Sequence, residues 1–95
     1  MDRQKRFWDK IAEQADLPDE QFWGESIVEI VGDRRILIEN HKGVTEYGHE
    51  RICVRLRCGD LTVYGKHLEL ARMTKEVLVI TGAVDNVALQ RGHKA

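Results

Sequence analysis

From Ser26 onward, the apolar residues of this chain recur at every second position. Val28 and Ile30, Ile36 and Ile38, then Ile52, Val54 and Leu56, Leu61 and Val63, and Leu68 and Leu70 each alternate with polar or charged neighbours. Successive side chains of an extended backbone point to opposite faces, so each run reads as a strand with one buried and one wet face. Short turn signals separate the runs: Gly32 with Asp33, then His41, Lys42 and Gly43, Gly48 with His49, Cys58 with Gly59, Gly65 with Lys66, and Gly82 with Ala83. Glycine as the first of two loop residues suits a type II′ hairpin, where φ is positive, and Gly32, Gly48 and Gly65 fit that rule. The apolar parity is odd at Leu61 and Val63 but even at Leu68 and Leu70, as a reversal at Gly65 or a bulge requires. The pattern predicts a mainly β domain, a small sandwich or roll. It would be an antiparallel meander of about seven or eight short strands between Ser26 and Gln90. A β-solenoid, hinted at by glycines that precede alternating apolar pairs, is disfavoured because the turns reverse the chain.

Ahead of the strands the period changes. Asp2 is suited to cap a helix over residues 3–15, in which Phe7, Ile11 and Ala15 share one stripe with Trp8 beside it. Pro18 ends it by pushing Leu17 out of the helical region. The expected organisation is an N-terminal amphipathic helix within 1–18, a β-domain over 19–90 and a tail over 91–95. Phe7, Trp8, Phe22 and Trp23 all precede the strand pattern. They either complete the core or anchor a partner, which makes Phe7, Trp8, Ile11 and Trp23 a candidate partner surface.

With 95 residues, the chain has room for one domain and a modest core. Its 15 basic and 16 acidic residues leave a formal net charge of -1, too balanced for the strong field that non-specific nucleic-acid binding exploits. The sequence has neither the apolar run of a membrane span nor a secretory signal, which points to the cytoplasm and to reduced thiols at Cys53 and Cys58.

Those cysteines do not have the close spacing of a zinc pair, and no His-x3-His occurs, so no metal is expected. Cys53 falls on the polar face of its strand beside Arg51 and Arg55, as a small surface filler. No phosphate loop or nucleophile motif is present; Glu39 and His41 are near each other but flank a turn. No catalytic residue, cofactor or small-molecule substrate is implied. Arg51, Arg55 and Arg57, with Tyr47 and Tyr64 as stacking residues, define an alternative: a small β-domain binding single-stranded nucleic acid. Interleaved Glu46, Glu50, Asp60 and Glu69 disfavour it, because they suit cross-strand charge pairs on a solvated face. Open strand edges favour protein association instead, including a homo-oligomer through those edges.

The stretch Glu39, Asn40, His41, Lys42 and Gly43 breaks two runs. Gly43 at positive φ and an Asn40 side chain bonded to nearby backbone account for a bend. Alternation then places Ile36, Ile38 and Val44 in the core, with Glu39, His41 and Lys42 at the rim. A bend alone does not require histidine, so His41 is expected to pack structurally or to hydrogen-bond a neighbouring strand or subunit.

Taken along its length, the chain resembles the YabP/YqfC family of endospore-formation proteins, and more closely the YqfC branch. The similarity is carried by Leu17-Pro18, "IVGDRRILIENHKGVTEY" at 30–47, "CGDLTVYGKHLEL" at 58–70 and "EVLVITGAVDNVAL" at 76–89, with residues 38–43 the most specific. It departs from the family pattern at 23–26, where an apolar stretch with a second Leu-Pro is expected. The resemblance implies a non-enzymatic sporulation protein made in the mother cell. It would act as an assembly or adaptor module with a membrane protein of the YqfD type, at the membrane surrounding the forespore. Residues 39–43 would be the family motif, structural or partner-binding.

Overall fold

A computed structural model of the chain describes residues 24–92. The expected helix and its Phe7, Trp8 and Ile11, together with Trp23, lie outside that range. Six strands form a single antiparallel sheet: β1 (Ile27–Val31), β2 (Arg35–Glu39), β3 (Val44–Tyr47), β4 (Arg51–Arg55), β5 (Gly59–Met73) and β6 (Val77–Arg91). Their order across the sheet is β1-β2-β6-β5-β4-β3.

The mainly β, antiparallel expectation holds, but the strand count and order differ. Four of the turn signals are connections: 32–34 joins β1 to β2, 40–43 joins β2 to β3, 48–50 joins β3 to β4 and 56–58 joins β4 to β5. The other two, at Gly65 and Gly82, lie inside the 15-residue strands β5 and β6. There the chain bends and does not reverse. The β5–β6 register slips between Tyr64 and Gly65, between Lys66 and Glu69, and again between Leu70 and Arg72. His67 (φ 54°) and Gly82 (φ 137°) take up the left-handed backbone at this bend. Each slip leaves residues unpaired on one strand, which increases twist and switches which parity faces inward. The odd-to-even change after Val63 therefore records a bulge.

Meander order fails at β2. That strand pairs with the first half of β6, Ile36 opposite Ile80 and Ile38 opposite Leu78, instead of with β3. On the far side, β4 pairs with the first half of β5, Ile52 opposite Val63 and Val54 opposite Leu61. The long β5–β6 hairpin thus belongs to two half-sheets. One consists of β1, β2, the start of β6 and the end of β5; the other of β3, β4, the start of β5 and the end of β6. All named strand pairs are antiparallel, which removes the solenoid alternative.

The half-sheets curl over one core. Ile36 and Ile38 of β2 cluster with Ile52 and Val54 of β4, Leu56 just beyond it, Leu61, Val63 and Leu68 of β5, and Leu78 and Ile80 of β6. Val44 packs against this cluster, as its alternation predicts. Close backbone contact at the bend requires glycine at position 65, where an added Cβ would run into the Ala83 carbonyl.

Candidate functional site

The connection over 40–43 carries the chain from one half-sheet to the other and closes one end of the core. Asn40 N–H bonds the Glu76 carbonyl at 2.7 Å, at the start of β6. Lys42 N–H then bonds the Arg55 carbonyl (2.7 Å), and Arg55 N–H returns a bond to Gly43 (2.8 Å), extending the β3–β4 ladder. Asn40 has φ 60° and Gly43 φ 120°. Asparagine is among the few non-glycine residues that accept the left-handed region, so both residue types suit their positions. Asn40 Nδ2 bonds the Glu25 carbonyl at 2.8 Å, a longer-range contact than the local turn bond its sequence suggests.

His41 is the buried polar side chain of the described residues, 7% exposed, and not the rim residue that alternation places there. Its strand parity does not apply, because it sits in the connection and not in β2. Gly43 N–H donates to Nδ1 at 3.0 Å. With Nδ1 accepting, the ring proton belongs on Nε2, which lies 2.8 Å from the Thr74 carbonyl and donates to it. Thr74 opens the β5–β6 turn, where its hydroxyl accepts from the Val77 and Glu76 amides. A buried polar ring with both nitrogens satisfied is a structural pin. The expected hydrogen bond to a neighbouring element is present. Glu39 is half-buried on the outer side of β2, and Lys42 is exposed.

Beside this connection, a second set of bonds fixes where the chain enters the sheet. Ser26 Oγ donates to the Asn40 carbonyl at 2.9 Å and accepts from Arg57 N–H at 3.0 Å. The Arg57 guanidinium lies 3.8 Å from Glu25. Short polar residues at 25 and 26 therefore hold the start of β1 against the connection. No sequence period reports this, because the partners are 14 to 32 residues apart.

The arginine face divides. Arg51 and Arg55 stand on the outer side of β4 with Cys53 between them, as parity predicts, whereas Arg57 lies beyond the strand end. A shallow groove of about 350 Å³ runs here, lined by Arg51, Cys53, Arg55, Asp60, Thr62 and Tyr64, among others. Each arginine meets a carboxylate: Arg51 with Glu46 at 3.7 Å, Arg55 with Asp60 at 3.5 Å, and Arg57 with Glu25. The Arg51 guanidinium also sits 5.8 Å from the Tyr64 ring centroid. Contact with Cys53, then the Glu46 charge, hold Arg51 above its ordinary pKa, which leaves it charged near neutrality as arginine always is. Cys53 Sγ is 3.3 Å from Thr62 Oγ1 and donates to Glu46 Oε1 at 3.7 Å. Among the described residues, no three His, Cys, Asp or Glu side chains gather in a way that could hold a metal.

The two sheet edges are unlike. β3 has four residues and a register slip between Val44 and Glu46, which blunts it as a pairing template. β1 is a regular five-residue strand, Ile27-Val28-Glu29-Ile30-Val31, and no described strand pairs with its outer side. It holds four β-branched aliphatics and one charge, and Ile30 is 54% exposed. Open, flat, apolar edges recruit further strands.

A family model described as the YabP family matches residues 24–95. Among characterised proteins, a probable alpha-mannosidase of Arabidopsis thaliana is 38% identical over 55 residues, covering 54% of this chain and 5% of the mannosidase. The chain thus spans only a small fraction of the length of that relative. No solved structure matches the chain.

Proposed function

Since the chain belongs to the YabP family, we propose that it is a non-enzymatic sporulation protein of the YqfC branch, an assembly or adaptor module. It is made in the cytoplasm of the mother cell, forms a homo-oligomer through strand edges, and joins a membrane protein of the YqfD type at the membrane surrounding the forespore. The observation that carries this reading is the edge of β1: regular, aliphatic and open on its outer side among the described strands. Backbone groups along such an edge supply main-chain hydrogen bonds to a partner strand, and alternate side chains supply the selectivity. The family motif at residues 39–43 supports the edge indirectly. His41 and Asn40 hold the connection against which Glu25 and Ser26, and so the start of β1, are fastened.

The test is co-expression of the full chain with a YqfD-type protein, together with sedimentation of the purified chain across concentrations. A concentration-dependent oligomer and capture of the partner are expected, and both should be lost in Ile30→Lys. A strict monomer that captures no such partner would overturn the reading.

The second reading is single-stranded nucleic-acid binding at the outer face of β4, and the Arg51 and Tyr64 pairing favours it as a stacking platform. The carboxylate beside every arginine opposes it, because backbone phosphates would have to displace Glu46 and Asp60.

A further inference from the structure

We infer that the last part of β6, residues 85–91, is a self-complementary edge that pairs antiparallel with the same residues of a second copy, about a two-fold axis at Ala88. Each half-sheet has a border inside the long hairpin as well as one at β1 or β3. β2 covers β6 only from Val77 to Thr81, and the 32–34 turn extends this cover to Gly82 and Val84, whose amides bond the Arg34 and Asp33 carbonyls. Beyond Val84, none of the described strands lies on that side of β6. On its other side, Asn86 to Arg91 pair with β5 without a slip, so this border is straight and regular. The corresponding border at the end of β5 is broken by slips after Lys66 and after Leu70, which blunt it as a template.

Both the backbone and the side chains of this border call for a neighbour. Gly92 N–H bonds the Cys58 carbonyl at 2.9 Å. Peptide groups of an antiparallel strand alternate in direction, so Asn86, Ala88 and Gln90 bond β5, while Val87, Leu89 and Arg91 turn theirs to the open side. On the core side, the buried rows of Val54 with Leu61 and of Ile52 with Val63 end at Leu89 and Val87. Val87 is half-buried against the core. Leu89 is 61% exposed, the most exposed large hydrophobic of the described residues, although it continues a row whose other members are buried.

The order of residues along the border selects a second copy as its occupant. Antiparallel pairing centred on Ala88 sets Val87 opposite Leu89 of the second copy, Asn86 opposite Gln90, and Asp85 level with Arg91, each on both sides of the axis. Apolar meets apolar, amide meets amide, and opposite charges meet at both ends. Val87 and Leu89 both turn their peptide groups outward, so each of their pairings exchanges two main-chain hydrogen bonds. Moving the axis by one residue spoils the match: Asp85 then faces Leu89, or Val87 faces Arg91. The contact uses the same patch on both copies and closes at two, and each copy covers the exposed Leu89 of the other. The sheet of β3, β4, β5 and β6 would run on into the same strands of the second copy, with both β1 edges left free.

Sedimentation of the full chain tests this, and Ile30→Lys separates it from the role proposed for β1. That variant should lose partner capture and the concentration-dependent association of dimers, yet remain a dimer. Leu89→Pro removes an amide turned to the open side and none that bonds β5, so it should be a folded monomer. Asp85→Arg and Arg91→Asp each bring like charges together at both ends and should raise the dissociation constant about ten-fold or more. Mixed in equal amounts, the two charge variants should form a heterodimer as tight as the parent dimer. Both change exposed side chains and leave the β5 pairing intact, so they decide the matter even where Leu89→Pro unfolds. A monomeric Ile30→Lys would leave the β1 reading standing and overturn this one. A dimer that persists in folded Leu89→Pro, or charge variants that associate no better mixed than apart, would overturn it too.

Discussion

His41→Ala isolates the pin at the β2–β3 connection. The substitution deletes two hydrogen bonds, leaving Gly43 N–H and the Thr74 carbonyl without their ring partner. Leaving a buried polar group unsatisfied costs about 1–3 kcal/mol. Both groups sit at one end of the core where water can enter once the ring is gone, so the lower end of that range applies to each. Lost packing of a ring that is 7% exposed adds about 1 kcal/mol. The sum is about 3 kcal/mol, a large share of the roughly 5–10 kcal/mol expected for a chain of this size. At 4–8 °C per kcal/mol, the melting temperature should fall by roughly 12–24 °C. Urea unfolding followed by circular dichroism measures the loss, with the midpoint shifting at constant slope. His41→Gln, whose amide can still donate toward Thr74, should recover part of it. A loss below about 0.5 kcal/mol for His41→Ala, the range of ordinary surface substitutions, would refute the pin.

Other substitutions probe separate parts of the fold. Gly65→Ala forces a Cβ into the Ala83 carbonyl at the bend of the long hairpin. It should cost about 3 kcal/mol or more and show as poor soluble yield or early melting. Ile30→Lys changes an exposed edge residue and should move stability by less than about 0.5 kcal/mol, while abolishing the concentration-dependent oligomer; loss of both together would instead mean a fold defect. Arg51→Ala with Arg55→Ala removes the exposed pair with Glu46, worth about 0–1 kcal/mol, and the pair with the half-buried Asp60. The parent should not be retained on single-stranded DNA at low salt; retention that this double variant abolishes would revive the nucleic-acid reading.

Legibility in the sequence followed the range of the interactions. Ile36, Ile38, Ile52, Val54, Leu61 and Val63 announce their burial by period two, because alternation is a property of one strand alone, and all six are in the core. The outward position of Cys53 between Arg51 and Arg55 is readable for the same reason. His41 is not: counting on from Ile36 and Ile38 puts it at the rim, yet the chain leaves β2 at Glu39 and the count stops applying. What buries the ring is Thr74, 33 residues away, and no local pattern carries that pairing. The available signal was chemical. A bend satisfied by Asn40 and Gly43 has no need of histidine, so a histidine there indicates a partner elsewhere.

The two glycines whose turn signals lie inside strands, Gly65 and Gly82, show where strand arithmetic is ambiguous. A parity change after Val63 fits a two-residue hairpin or an odd insertion, and the turn rules favour the hairpin because glycine leads the pair. The deciding quantity is the space around Gly65. A hairpin glycine of that type is chosen for positive φ and generally faces solvent. Gly65 is buried, is absent from the positive-φ positions, and lies against the Ala83 backbone, so it is needed for the absence of a side chain. The left-handed conformation falls two residues on, at His67. Two 15-residue strands that bend together at Gly65 and Gly82 let one hairpin serve both half-sheets. A reversal at either glycine would cut β5 or β6 in two and end that sharing. β2 and β4 could then no longer flank the same pair of strands, and Ile36 and Ile38 would lose their place in one core cluster with Ile52 and Val54. The bend is therefore the feature on which the common core depends, and Gly65→Ala should disturb both halves at once. Hydrogen exchange that accelerates on β2 as well as β4 in that variant would show it; acceleration confined to β4 would mean the half-sheets fold independently of the bend.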